Sequence, residues 1–155
     1  MSVAEGGLVV SEEHPFLATS TDGFVTEDGV SEKGVLEIKC PVTRKTVTDL
    51  AASRKNCFLV VGSGGSLKLR ESHPYFTQIQ FEMAVSGCSW EDFVVFTLLE
   101  DDKGEDVFVE RIHFSESFWQ KKLLPGVSRF FRNFVVLELL SRWLQRNVPL
   151  IPLSC

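Results

Sequence analysis

Apolar positions recur every second residue through much of the first half of the chain and with helical spacing through the end. Gly7 to Val10 (G-L-V-V) reads as a short strand, and Ser11 to Pro15 as a turn. Phe16 to Ser20 resumes as a strand that Asp22-Gly23 closes; Phe24-Val25 continues the ribbon and Glu27-Asp28-Gly29 turns it. Gly34 to Cys40 is the next strand, ended by Pro41, which has no N–H for a ladder. Residues i and i+2 of a strand share a face. Glu37 and Lys39 therefore project together, while Leu36, Ile38 and Cys40 form the opposite, apolar side expected to face a core.

Thr43 to Ser53 has helix character, with Val47, Leu50 and Ala51 at helical spacing. The apolar run Cys57 to Val61 and Leu67 to Leu69 flank G-S-G-G-S and read as a hairpin, and residues 54–72 are expected to form a mobile insertion beside the site. H-P-Y-F-T-Q-I-Q-F-E-M-A-V-S-G predicts a helix opening at Pro74 and capped by Gly87. Phe76, Ile79 and Met83 share one face of it; Gln78 and Glu82, four apart, share another. Asp92 to Leu99 is nearly all apolar, as in a strand covered on both sides, and the alternating run Val107 to Phe114 reads as its partner. A long helix begins near Ser115 or Ser117, with Trp119, Leu123, Leu124, Val127, Phe130, Phe131 and Phe134 on its apolar side. Pro125-Gly126 is expected to kink or split it, and it runs on through Leu139, Leu140, Trp143 and Leu144 to an irregular tail at 146–155. This order of elements implies an α/β or α+β fold: a mixed central sheet flanked by helices, with a long C-terminal helix.

The 155 residues suit a single domain, and 44% hydrophobic content with 13 Phe and 3 Trp excludes a disordered chain. No apolar run approaches the ~18–20 residues of a membrane span, and the N-terminus has no signal-peptide pattern, so an intracellular protein without a membrane partner is expected. Cys40, Cys57, Cys88 and Cys155 are far apart, as scattered thiols in a reducing compartment would be. The net charge of −5 argues against nucleic acid as a partner until its distribution is considered. Lys33 to Arg70 holds eight Lys/Arg against two acidic residues, a balance of +6, and the remainder of the chain carries −11. A positive segment on an acidic protein can still attract a polyanion.

The chemistry concentrates in the same segment. A hairpin between the strands would bring Asp22 alongside Glu37, with Lys39 beside them. Two carboxylates and a backbone carbonyl suit a hard cation such as Mg²⁺, and a lysine can orient a water and offset phosphate charge. Glu-x-Lys on a strand is also an ordinary surface ion pair. Spacing alone favours reading Gln78 as a helix-surface glutamine, and His113 as a strand-surface residue rather than a ligand. P-loop, dinucleotide-binding and nucleophile-elbow motifs do not occur.

Three ordered blocks add specificity. A-T-S-T-D-G…G-V-L-E-I-K-C-P, then H-P-Y-F-T-Q-I-Q-F-E-M-A-V-S-G, then D-F-V-V-F-T resemble the YqaJ-like viral recombinase family over roughly Gly7 to Leu124. That family includes phage lambda exonuclease and belongs to the PD-(D/E)xK nuclease superfamily. The resemblance implies a restriction-endonuclease-like core. It also implies a metal site of Asp22, Glu37 and the Ile38 carbonyl holding Mg²⁺ or Mn²⁺, with Lys39 positioning the attacking water and Gln78 ordering the site. Gln80 has no such role and would point about 200° from Gln78 around the helix. The implied activity is phosphodiester hydrolysis on double-stranded DNA from the 5′ end, in recombination or repair. A homo-oligomer, a single-strand annealing partner, and a viral or mobile-element origin acting in nucleus or cytoplasm follow from the same resemblance. Thr21 replaces a proline common in the family before the aspartate. Related proteins carry further helices upstream of G-L-V-V, so an N-terminally truncated domain is expected. The alternative is a catalytically inactive remnant of the nuclease fold that binds DNA or protein, and a third reading is an interaction module built on the aromatic C-terminal helix.

Overall fold

The computed structural model describes residues 1–42, 46–53, 57–62, 64–99, 104–142 and 145–146. They fall into two compact units, Met1–Ser115 and Glu116–Cys155.

The first unit is organised by a five-stranded mixed sheet. Its strands are β1 (Ser2–Glu5), β4 (Gly23–Thr26), β5 (Gly34–Lys39), β8 (Trp90–Leu98) and β9 (Glu105–His113), in the order β1-β4-β5-β8-β9. Only β5 and β8 run parallel, and the connection between them carries α1 (Val47–Ser53), the hairpin β6 (Leu59–Val61) and β7 (Leu67–Leu69), and α2 (Pro74–Ser86). A parallel pair needs such a long crossover because its second strand must begin again at the far end of the first. β2 (Leu8–Val10) and β3 (Ala18–Ser20) form a separate antiparallel ribbon that packs on α2.

Expected elements recur with shifted ends. β1 is a strand that sequence pattern did not reveal; all four of its residues are exposed, so no alternation of burial marks it. The strand expected from Phe16 is confined to Ala18–Ser20, because Leu17 N–H closes a turn onto His14 O at 2.8 Å. The faces of β5 are the reverse of those expected. Val35 is 0% and Glu37 5% exposed, whereas Ile38 is 40% exposed and Cys40 lies open. α2 packs on β5, and the Glu37 side is the enclosed one. The rule that apolar residues face inward fails here because the buried Glu37 has polar partners, described below.

The core lies on that same enclosed side. Ile79 and Met83 of α2, Val47 and Leu50 of α1, Phe93 and Val95 of β8, and Ile112 of β9 form one cluster. Leu59 and Leu69 of the β6–β7 hairpin belong to it too, so the segment expected to be a mobile insertion contributes to the core; its residues 54–56 and 63 lie outside the described residues. Two acidic residues of β9 tie this crossover down. Asp106 Oδ2 accepts from Val47 N–H at the start of α1 (2.7 Å), and Glu110 Oε2 accepts from Leu69 N–H (2.6 Å).

The second unit holds a helical run from Glu116 to Ser141: α3 (Glu116–Phe118), a π-helical turn Trp119–Leu123, α4 (Leu124–Phe130), a second π turn Phe131–Val135, and α5 (Val136–Ser141). Pro125 was expected to kink or split the helix. The α-helical pattern is interrupted just before it by the π turn, while the backbone stays right-handed helical at Leu123 and Leu124 and Leu124 N–H donates to Trp119 O. The wider turn places Pro125 at the start of a fresh α segment, where its missing N–H leaves no bond unmade. The helix ends at Arg142, which adopts a left-handed φ of 52°. Trp143, Leu144 and the tail at 147–155 lie outside the described residues. Among the described residues no helix is long and apolar enough to cross a membrane.

Candidate active site

The site forms where β4, β5 and α2 meet. β4 and β5 pair antiparallel with Gly23 opposite Leu36, so Asp22, one step past the last pair, stands opposite Glu37. Its side chain takes over the ladder: Ile38 N–H donates to Asp22 Oδ2 at 2.7 Å. In an extended strand the N–H and C=O of one residue point to the same side. The Ile38 carbonyl therefore faces the edge occupied by Asp22.

Glu37 and Lys39 lie on the face that α2 covers. α2 begins at Pro74 because His73 caps it, Nδ1 accepting from Tyr75 N–H at 3.2 Å, and it stops at Gly87, whose φ of 68° favours glycine. That register puts Gln78 above Glu37. Gln78 Nε2 donates to Glu37 Oε1 at 2.7 Å and to Glu82 Oε1 at 2.8 Å, while Gln78 Oε1 accepts from Lys39 Nζ at 3.2 Å. Lys39 Nζ also donates to Glu37 Oε1 and sits 4.6 Å from the centroid of the Tyr75 ring. Asp22, Glu37, Lys39 and Gln78 are thus brought to one place, Asp22 through the Ile38 backbone and the other three by direct contact. Gln80, two residues from Gln78, turns away from the site. It is buried, its Nε2 donating to His113 O at 2.9 Å and its Oε1 accepting from Ser115 N–H at 2.7 Å.

Sequence reasoning overlooked a further carboxyl pair. Glu82 was seen only as sharing a face with Gln78, and Glu91 was not singled out. Glu91 is fully buried at the start of β8, in register with Val35, on the enclosed side of the sheet. Alternation carried the signal: Phe93 and Val95 face the core, and Glu91 is the preceding odd position of the same strand. Burial pushes the Glu91 carboxyl up to about 10, and the Glu82 and Glu37 charges add to the rise. Burial also pushes Glu82 up to about 7, opposed by the Gln78 hydrogen bond and reinforced by Glu37. With both carboxyls ionised, Glu82 Oε2 and both Glu91 oxygens are buried acceptors without a donor. A proton held by Glu91, whose carboxyl burial raises furthest, would supply a donor there.

The donor set fits a hard divalent cation. Asp22 Oδ1 and Glu37 Oε2 have no hydrogen-bond partner among the described residues, and the Ile38 carbonyl adds a third oxygen. Among the described residues no three His, Cys, Asp or Glu side chains are disposed to hold a metal together. Two carboxylates and one carbonyl leave the remaining positions to water and phosphate, as Mg²⁺ prefers. Of the basic segment, Arg44, Lys45, Arg54 and Lys55 lie outside the described residues.

Comparison with known proteins bears on the family and the fold. The model of the YqaJ-like viral recombinase domain matches residues 1–89. A crystal structure of an alkaline exonuclease (LHK-Exo) from Laribacter hongkongensis is similar to this chain at 24% identity and a TM-score of 0.54, over 94% of this chain and 62% of that one. The structure of LHK-Exo in complex with dAMP gives a TM-score of 0.59 at 24% identity, over 95% of this chain and 64% of that one. At that identity the likeness speaks for the fold, and the chain spans less than two thirds of the length of either. No curated protein matches it.

Proposed function

Because the chain belongs to the YqaJ-like viral recombinase domain family, we propose that it is a metal-dependent DNA exonuclease core that hydrolyses phosphodiester bonds of double-stranded DNA. The observation that carries this reading is the convergence of Asp22, Glu37, Lys39 and Gln78 where β4, β5 and α2 meet. Asp22, Glu37 and the Ile38 carbonyl would hold Mg²⁺ or Mn²⁺, which supplies Lewis-acid stabilisation of charge on the phosphate and on the leaving oxygen. Lys39 Nζ holds and orients the attacking water, and its charge offsets that of the phosphate. Gln78 Oε1 keeps the ammonium in place while Gln78 Nε2 fixes Glu37 Oε1, leaving Glu37 Oε2 for the cation. Attack from the 5′ end, assembly as a homo-oligomer and cooperation with a single-strand annealing protein belong to the same proposal through the family.

The test is degradation of linear against closed circular duplex DNA in Mg²⁺ or Mn²⁺, with the label on either end. Digestion confined to linear DNA, starting at the 5′ end and lost in Glu37→Gln and Lys39→Ala, is the expected result. Undiminished activity in both variants removes the mechanism. The second reading, DNA or protein binding without cleavage, draws on Glu37 Oε1 being taken by two donors and on the lack of three side-chain ligands among the described residues. Retention of duplex DNA with no cleavage in any divalent metal would select it.

A further inference from the structure

The site is built in two tiers, and the lower one has no assigned task. Gln78 is the hub of the upper tier: its amide oxygen faces Lys39 and its amide nitrogen faces Glu37. A glutamine amide can rotate by half a turn with little change in shape. The flip would set its NH₂ against the Lys39 ammonium and its oxygen against the Glu37 carboxylate, and would break both contacts. Those contacts favour one orientation, and an acceptor aimed at the NH₂ from the other side adds to that preference. Glu82, one helical turn on, does this: its Oε1 accepts from Gln78 Nε2 at 2.8 Å, and that nitrogen then serves two carboxylates at once. Glu82 is 2% exposed and Glu91 0%, and the remaining oxygens of the pair meet no other donor. So costly a burial of two carboxyls beneath one amide is unexplained by packing, since apolar side chains would fill the same space.

We propose that Glu82 is a positioning residue that locks the Gln78 amide in the one orientation able to hold both Lys39 and Glu37. This rests on the exonuclease reading for its catalytic consequence, but the lock itself exists in the resting protein. Glu82 touches neither substrate nor cation and acts through Gln78 alone.

The experiment joins two readouts on the full chain. Side-chain ¹H–¹⁵N spectra, with the Gln78 signals assigned by their loss in Gln78→Ala, should show two dispersed, exchange-protected NH₂ protons in the unmodified protein. They should collapse towards free-amide positions in Glu82→Met. A free-amide pattern in the unmodified protein overturns the proposal without any need for a variant to fold. In DNA hydrolysis, Glu82→Met should lower kcat by about tenfold or more with little change in KM. Glu82→Gln, which keeps an acceptor, should restore most of the rate. In a Gln78→Ala background Glu82→Met should add no further loss; an equal loss there marks a merely structural role and overturns the proposal. If the unmodified protein cuts no DNA in any divalent metal, the exonuclease reading fails by itself and the spectra still decide the lock.

Discussion

The two faces of the central sheet solve the same electrostatic problem in opposite ways. Glu91 and Asp92 are neighbours on β8 and so point to opposite faces. On the Asp92 side, Arg111 forks onto both oxygens of Asp92 at 2.8 Å, reaches Glu27 at 2.8 Å, and lies 3.7 Å from the centroid of the Trp90 ring. The fork draws Glu27 below the usual carboxylate range and raises the guanidinium further above its own. Gly34 lets this arrangement close, because a Cβ there would lie 2.2 Å from the Trp90 ring. On the Glu91 side, Lys39 pairs with Glu37 alone among Glu37, Glu82 and Glu91, and burial pushes the other two carboxyls up. One face is a neutralised network that holds strands together. The other leaves Asp22 Oδ1 and Glu37 Oε2 without a donor among the described residues, so an added cation would be gained there rather than displace a partner.

Substitutions on the two faces should therefore separate function from stability. The largest effect belongs to the crowded face: Glu37→Gln or Lys39→Ala should lower DNA hydrolysis by about 100-fold or more, read in a metal-dependent nuclease assay, with urea midpoints close to that of the parent. Arg111→Ala should do the reverse. It strands Asp92, and because Arg111 keeps a side-chain exposure of 33% the loss is discounted from that of a buried pair. Urea unfolding should show about 2 kcal/mol of destabilisation and unchanged turnover per folded molecule. Gln80→Ala tests whether the contrast extends along α2. Its two bonds to His113 O and Ser115 N–H join the helix to the end of β9 and touch nothing in the site, so about 1.5 kcal/mol of stability should be lost with no change in KM.

The parts of this contrast that sequence could reveal are those set locally. Pro74 and Gly87 bracket α2 as pattern predicts, because φ restriction at one end and a left-handed cap at the other act within a turn. The strand expected from Gly34 to Cys40 is found at Gly34–Lys39, and the spacing of Glu37 and Lys39 placed them on one face. What stayed hidden depends on long-range contacts. The inward face of β5 was misjudged because Glu37 is buried by partners from α2, forty-one residues away. β1 pairs with β4 across a shorter gap, Ser2 opposite Thr26 and Glu5 opposite Gly23, and has no burial pattern of its own. Glu91 opens a strand otherwise rich in apolar residues, where a charge is easily taken for the end of a turn. Its register with Val35 and its alternation with Phe93 and Val95 show that it faces the core.

That residue gives the smallest but most diagnostic prediction. In the unfolded chain Glu91 and Glu82 release their protons near the ordinary carboxylate range. In the folded protein they hold them until about 10 and about 7. Between these limits the native state binds more protons than the unfolded state, so stability must fall as pH rises. Stability of the metal-free protein is thus greatest near pH 5 and declines through neutrality, the opposite of the sign expected from Glu27, whose carboxyl Arg111 draws down. Glu91→Gln replaces a protonated acid with a neutral group of the same shape that can still donate. Urea unfolding at about pH 5 and about pH 8 should show the variant's stability dropping less than the parent's, by roughly 1 kcal/mol once relaxation and water entry are allowed for. An unaltered slope would mean that Glu91 carries no proton, and the two faces would then differ in charge count alone.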